Sequence, residues 1–361
     1  MNTTDLYNDL DSGSRDRLTE LAKEIQRKYQ IGPRKGEPQG RVILFLGAAV
    51  NYEAPEGFEL AYSKEERPPI AAELRDSLID VIFEDQKDED RKNSMKEEHL
   101  TLSYVAQYYE ELTDRARLID SLVPLISREK PSPILKALAK MDFKYIITTN
   151  YDHLFENALE QVGKSYRNKG IYKANKGGNP KSTDNVAENE ITVHAPFLYK
   201  FHGDLREVTD GNGIYIPEND NIVITDDDYL NFILRMSQIN DNQEKPEKEM
   251  PGEAKPRASV LDLYPIPRVI NEAFAGKNQN TFLFIGYGLQ DYNLRLIFKT
   301  SLWGKNAKSF NDLQKWSITL DKHKPIQQFW FRNHKVTFIE QNIWSAIPFL
   351  YKEIFNKEMP L

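Results

Sequence analysis

Four short stretches of this 361-residue chain carry residue types that can do chemistry together. The first is Thr148-Thr149-Asn150-Tyr151-Asp152. It follows an apolar run, Tyr145 to Ile147, and precedes an amphipathic segment with Leu154, Phe155, Ala158, Leu159 and Val162 on one side. A buried strand feeding a helix through a tight polar turn puts that turn at the carboxyl edge of a parallel sheet, where open α/β sheets bind ligands. Thr149, Asn150 and Asp152 are thereby presented to a crevice. Asn and Asp also cap helices well, so this turn taken alone reads as a cap before it reads as a site. The second stretch, Gly47-Ala48-Ala49, follows apolar Val42 to Leu46. Its small side chains let backbone N–H groups approach a pyrophosphate, although the full GxGxxG spacing is absent. The third, His202-Gly203-Asp204, follows Phe197 to Phe201 and supplies an imidazole suited to accepting a proton. The fourth, Gly286-Tyr287-Gly288-Leu289-Gln290-Asp291, follows Thr281 to Ile285. A right-handed α/β sheet puts all strand carboxyl ends on one side. Glycine turns, an Asn/Asp pair and one His then converge on a crevice sized for a dinucleotide.

Strands alternating with helices along the chain predict an α/β fold, a Rossmann-like doubly wound parallel sheet. Residues 1–40 form an N-terminal helical extension, with Leu18, Leu21, Ile25 and Tyr29 at helical spacing, that pads the domain or meets a partner chain. Residues 41–361 form the ligand-binding domain, with a helical insertion at about 71–140. Within the insertion, Leu100 to Leu125 reads as helix, and Ser127 or Ser132 caps the helix carrying Ile134, Leu135 and Leu138. Asn51 to Pro69, with Phe58, is too long for an ordinary βα connection and is expected to act as a lid. Ile222 to Thr225 reads as a further strand. Asp226-Asp227-Asp228 reads as acids at a helix start rather than a metal cluster. Trp316 to Leu320 and Val336 to Ile339 read as strands, and Asp85 to Glu98 as a solvated charge run.

Composition narrows the function classes. A net charge of −7 argues against a free-standing nucleic-acid binder. The absence of cysteine excludes disulfides, thiol catalysis and Cys-ligated zinc. Met1 to Asp11 is too polar for a signal peptide, and no apolar run approaches the roughly 20 residues of a membrane helix, so a cytoplasmic location is expected. His99, His153, His194, His323 and His334 show no ligand spacing and read as structural or surface residues, and no metal is required. The aromatic stretch Phe329 to Phe355 reads as core or subunit interface.

In order and spacing the four stretches resemble the sirtuin superfamily of NAD-consuming proteins, across residues 41 to about 340. The sirtuin Gly-Ala-Gly-x-Ser is similar to Gly47-Ala48-Ala49-Val50-Asn51, and Thr-Gln-Asn-Ile-Asp to Thr148-Thr149-Asn150-Tyr151-Asp152. The sirtuin His-Gly is similar to His202-Gly203, and the Gly-Thr-Ser turn to Gly286-Tyr287-Gly288. The departures are Ala49 for a glycine, Asn51 for a serine, Gly288 for a serine, and the missing four-Cys zinc module. Tyr199 to Leu205, Ile222 to Phe232 and Ile285 to Leu294 look closer to sirtuin-like domains of bacterial antiphage systems, above all to the partner of a HerA-type hexameric ATPase.

The resemblance implies NAD+ as a substrate, cleaved at the nicotinamide–ribose bond, and NAD+ depletion in antiphage defence. It implies Asp152 on the nicotinamide carboxamide, Asn150 orienting ribose and water, and His202 accepting a proton. It extends the contact set to Asn51, Phe58, Thr149, Gly286, Tyr287, Gly288 and Asp291. It further implies a large homo-oligomer, with DNA contact arising only through the assembled complex. A non-catalytic sensor of NAD+ or ADP-ribose, a DNA-processing subunit and a deacylase are the rival readings, the last disfavoured by the missing zinc module.

Overall fold

The five residues of β1 (Val42–Leu46) are all buried, and they divide by parity. Val42, Leu44 and Leu46 enter one hydrophobic core, Ile43 and Phe45 another, because successive strand side chains point to opposite faces. An apolar run buried on both sides belongs inside a parallel sheet covered by helices. The computed structural model, which describes residues 10–56, 62–84, 89–98, 100–166, 169–171, 186–232, 234, 267–274, 280–287, 313–320 and 324–360, has that arrangement. The partners of β1 are β2 (Tyr145–Thr148), β3 (Lys169–Ile171), β4 (Phe197–Lys200), β5 (Thr281–Ile285), β6 (Lys315–Thr319) and β7 (Val336–Glu340). All pair in parallel, in the order β3-β4-β2-β1-β5-β6-β7. The fold is therefore α/β, a doubly wound Rossmann-like sheet. From β1 the chain runs to β2, then to the edge strand β3, back to β4 between β3 and β2, and crosses to β5 on the other side of β1. The β1–β5 junction is the topological switch point.

One face of the sheet is covered by α1 (Ser12–Ile25), with helices Pro133–Lys140, Leu154–Gln161 and Ile343–Phe355 beside it. Asp11 caps α1 by accepting from Ser14 N at 2.8 Å, and Leu18, Leu21, Ala22 and Ile25 are buried. Arg17 donates to the carbonyl of Phe338 in β7 at 2.9 Å. The N-terminal helix thus packs within the main core, and Trp344, Ile347 and Leu350 of the C-terminal helix join it there. The other face is covered by helix Arg268–Phe274, by Trp330 of helix Lys324–His334, and by Phe232.

Four helices stand beside the sheet around a core of their own: α2 (Ala71–Ile82), α3 (Glu89–Glu97), α4 (Leu102–Leu112) and α5 (Arg115–Ile126). The helix expected over Leu100 to Leu125 is two, because Asp114 leaves helical geometry and accepts from Arg117 N at 2.9 Å to cap α5. The next helix, α6 (Pro133–Lys140), is capped by Ser132 and packs in the sheet core rather than with α2–α5. Helix α7 (Leu154–Gln161) follows β2 directly.

Ile222 to Thr225 is extended and buried but forms no strand, contrary to the expectation. Its alternation has another cause. Ile222 and Ile224 enter the helical core, while Val223 enters the core on the sheet face. The segment is a seam between two cores, linked toward the sheet by Val223, whose N donates to the carbonyl of His202 at 3.1 Å and whose O accepts from Tyr151 Oη at 2.7 Å.

The two glycine turns meet backbone on backbone. Gly47 N donates to Ile285 O at 2.9 Å and Ala49 N to Gly286 O at 3.1 Å. Gly286 has φ +79°, and a Cβ there would lie 2.3 Å from Val50 N. Gly286→Ala is expected to cost about 2 kcal/mol or more through strain and overpacking. Gly211→Ala, where an added Cβ meets nothing within 4 Å, should stay within about 0.5 kcal/mol of the parent. Chemical denaturation of the two variants checks this.

Candidate active site

The four turns read from the sequence leave four neighbouring strands, β4-β2-β1-β5, on one edge. Parallel pairing alone puts them there. Beside them lies a small cavity of mixed lining: Leu46, Val50, Asn51, Leu135, Thr148, Asn150, Asp152, Phe155 and Glu156. The β2 turn is closed by its own bonds. Thr148 Oγ1 donates to Leu46 O at 2.9 Å and accepts from Asn150 N at 3.0 Å. Asp152 Oδ1 accepts from Leu154 N at 2.9 Å, so this carboxylate does serve the start of α7. Its other oxygen accepts from Asn51 Nδ2 at 3.3 Å. One side chain therefore closes the helix start and lines the cavity. Burial raises the Asp152 carboxyl above its ordinary pKa, and Lys200 opposes the shift.

Two acceptors here are buried and have no hydrogen-bond partner: Asn51 Oδ1 and Asn150 Oδ1. Leaving a buried acceptor unpaired costs roughly 1–3 kcal/mol. Both oxygens belong to residues of the cavity lining, and they fit a ligand that brings N–H or O–H donors, such as a carboxamide or ribose hydroxyls. Asn150 Nδ2 reaches toward Gly47 O at 3.5 Å. The N–H groups of Gly47 and Ala49, expected to face a pyrophosphate, are instead engaged with the β5 turn. Thr149 Oγ1 donates to Tyr287 Oη at 3.4 Å, and Tyr287 Oη donates to Leu46 O at 3.1 Å, so Tyr287 bridges the β5, β1 and β2 ends. Phe58, Gly288 and Asp291 lie outside the described residues.

His202 is 5% exposed and follows β4. Its ring is flanked by two tyrosines, Tyr151 at 6.2 Å between centroids and Tyr229 edge-on at 5.4 Å. Burial pushes its pKa down to about 3. The imidazole is then neutral at physiological pH. The turn after it is crowded: Gly203 has φ +85°, and a Cβ there would lie 2.1 Å from Asn221 O. Outside that turn stands Arg115, whose guanidinium bonds Asp220 at 2.8 Å, Asp228 at 2.9 Å, Glu110 at 3.0 Å and the carbonyl of Ile222 at 2.7 Å. Asp228 also closes a capping box with Thr225: Asp228 N donates to Thr225 Oγ1 and Thr225 N to Asp228 Oδ2, both at 3.1 Å. The acids at 226–228 serve a helix start, as read from the sequence. Through Asp228 the helical insertion fixes the residue next to Tyr229, which covers His202.

Lys200, Glu156 and Lys169 escaped the sequence reading, and Asp204 was read only as part of the His202 turn. Lys200, Asp204 and Glu156 are buried, and Lys169 is 14% exposed at its side chain. Asp204 pairs with His153 and Lys169, and lies 3.3 Å from Lys200 Nζ. Burial works against its charge, but Lys200 and His153 outweigh burial and hold the carboxyl far below its ordinary range. His153, Glu156 and Asp204 could together meet a cation, yet Lys169 and Lys200 already stand on the same carboxylates. The signal was present in the sequence: one lysine inside the apolar run Phe197-Leu198-Tyr199-Lys200-Phe201, and a glutamate on the apolar side of α7.

The profile of a family described as "SIR2-like domain" matches residues 144–339. Among proteins of known name, "Defense-associated sirtuin 2" of Bacillus subtilis is 26% identical over 170 residues, which is 47% of this chain and 12% of that protein. "NAD(+) hydrolase ThsA" of Acinetobacter baumannii (strain 532279) is 27% identical over 195 residues, 54% of this chain and 30% of that protein. The aligned part thus spans less than a third of either relative. A solved structure described as "Structural Basis for the Mechanism and Regulation of Sir2 Enzymes" aligns over 94% of this chain and 98% of its own, at 13% identity and a TM-score of 0.37. Among the described residues no helix is long and apolar enough to cross a membrane.

The depressed pKa of His202 gives a signed expectation. The unfolded imidazole takes up a proton near pH 6.5, whereas the folded one resists until about pH 3. Stability on this account is fully present above pH 6.5 and is lost as pH falls toward 3. His202→Gln should flatten the pH dependence of unfolding free energy between pH 4 and 6 by about one proton relative to the parent. Denaturant titrations across that range measure the slope.

Proposed function

We propose, from the premise that this chain belongs to the SIR2-like domain family, that it is an NAD+ hydrolase releasing nicotinamide and ADP-ribose. The observation that carries the reading is the pair of buried, unpartnered amide oxygens of Asn51 and Asn150 beside Asp152, on a strand end next to the one bearing neutral His202. The names of the two relatives support NAD+ cleavage in defence.

The chemistry is rupture of the bond between the nicotinamide nitrogen and ribose C1′. Positive charge grows on the ribose as nicotinamide leaves, water adds to C1′, and one proton is released. Asp152 accepts from the carboxamide N–H of nicotinamide. Asn150 holds the ribose and the attacking water. His202, neutral, takes the proton from water or from a ribose hydroxyl. Asn51 orients Asp152 through its 3.3 Å bond and keeps its own oxygen for the ligand. Gly47, Ala48, Ala49, Thr149, Gly286 and Tyr287 make up the rest of the cleft. In this reading the chain works as a homo-oligomer with a HerA-type ATPase in antiphage defence, and meets DNA only through that assembly. The support for the assembly is the sequence resemblance in Tyr199 to Leu205, Ile222 to Phe232 and Ile285 to Leu294.

His202→Ala and Asn150→Ala should each reduce NAD+ loss by about 100-fold or more while keeping the parent's circular dichroism. The measurement is nicotinamide and ADP-ribose formation by the purified chain, with and without a co-expressed ATPase partner. Parent-like turnover by either variant would remove the role given to that residue. NAD+ bound without turnover in every condition would make the protein a sensor module instead.

A further inference from the structure

Lys200 is wholly buried in β4, and its ammonium is surrounded by acceptors from three separate segments. Nζ donates to Asp152 O at 2.5 Å and Tyr151 O at 3.4 Å in the turn after β2. It donates to Glu156 Oε1 at 3.3 Å in the first turn of α7. It lies 3.3 Å from Asp204 Oδ2, in the turn after β4. Burial works against this ammonium, but Glu156, Asp204 and Asp152 outweigh burial and keep it protonated. A lysine ammonium is a compact charge with rotatable donors, suited to acceptors that converge from several directions.

The two outer segments are the ones the reaction needs. The first carries Asn150 and Asp152, and the third lies two residues beyond His202. Each is closed locally. Leu154 N and Asn150 N donate within the first, Asp204 N donates to Asn221 Oδ1 at 2.9 Å, and Arg206 N donates to Asp204 Oδ1 at 3.0 Å. Leu205 N donates to Tyr151 O at 3.4 Å and His153 pairs with Asp204 across the two turns; Lys200 adds to these an ammonium shared by the Tyr151 and Asp152 carbonyls, Glu156 and the Asp204 carboxylate. Lys200 does not line the cavity, whereas its partners Asp152 and Glu156 do.

We propose that Lys200 is the positioning residue of this site: by holding the Tyr151 and Asp152 carbonyls and the Asp204 carboxylate on one ammonium, it fixes Asn150 and Asp152 relative to His202. The proposal deepens the NAD+-cleaving reading and rests on it for the reaction, though not for the geometry. A displacement of about 1 Å between such groups costs on the order of 100-fold in rate.

The test uses the full chain with Lys200→Met, and Lys200→Met combined with Glu156→Gln. The double variant removes the ammonium together with a carboxylate charge it faces, so instability from unpaired buried charge is relieved while the tether stays absent. Glu156→Gln alone keeps the ammonium and is the exchange control. In the double variant the amides of Asn150, Leu154, Asp204 and Arg206 should exchange with deuterium about 10-fold faster than in the parent, while β1 and β5 remain protected. The Glu156→Gln control should keep parent exchange in both turns. The double variant's kcat for NAD+ should fall about 100-fold with KM moving less than about threefold. Unchanged exchange in the two turns, uniform acceleration that includes β1 and β5, or a kcat within about threefold of the parent would each overturn the proposal. A parent without NAD+ loss would sink the hydrolase reading alone, because the exchange pattern decides the role of Lys200 without turnover.

Discussion

A charged ammonium inside the sheet is the constraint around which the carboxyl ends of β2 and β4 are arranged. Taking Lys200 out of water is affordable only because Glu156, Asp204 and two main-chain carbonyls meet it in the interior. Those acceptors are then themselves committed. Glu156 must sit on the inner side of α7, Asp204 must turn back under β4, and the chain after β2 must point its carbonyls inward. Once the carbonyls point inward, the side chains of Asn150 and Asp152 line the cavity beside them. His153 and Lys169 complete the charge balance around Asp204. Such a cluster contributes less to net stability than well-packed apolar groups would, but it tolerates few alternative arrangements.

The opposite side of the cavity is built from backbone. Gly47 and Gly286 allow the β1 and β5 ends to approach until main-chain groups hydrogen-bond directly. This closes the switch point tightly. It also engages two of the N–H groups that small residues at this position were expected to offer to a pyrophosphate. The small residues were expected to bring backbone N–H groups to a pyrophosphate; in the structure the group they approach is the end of β5 and its turn.

The helical insertion reaches the site through ionic bonds as well as packing. Arg115, 15% exposed at its side chain, holds Asp220, Asp228 and the Ile222 carbonyl, and this segment crosses over His202 and Gly203. Tyr229 stands edge-on to the His202 ring. The dry surroundings that make this histidine neutral therefore come partly from elements about a hundred residues away in the chain. An isolated histidine in a strand-end turn gives no hint of that environment.

Local signals in the sequence determined β1, β2, β4, β5, β6, β7 and the helix after β2, because apolar runs, small residues and helix caps act over a few residues. They also determined that the turns share an edge, because parallel winding of one hand leaves no alternative. Thr148 to Asp152 was legible both as a cap and as a candidate site; Asp152 does close the start of α7, and Asn150 and Asp152 line the cavity. The tertiary structure alone decided the strand order, the unpaired seam at Ile222 to Thr225, and the partners of Lys200. Those depend on contacts between segments 44 to 113 residues apart, such as Lys200 with Glu156 and Arg115 with Asp228. No local propensity encodes which buried carboxylate a buried lysine meets. Only the packed chain, excluding water from both, makes that pairing obligatory.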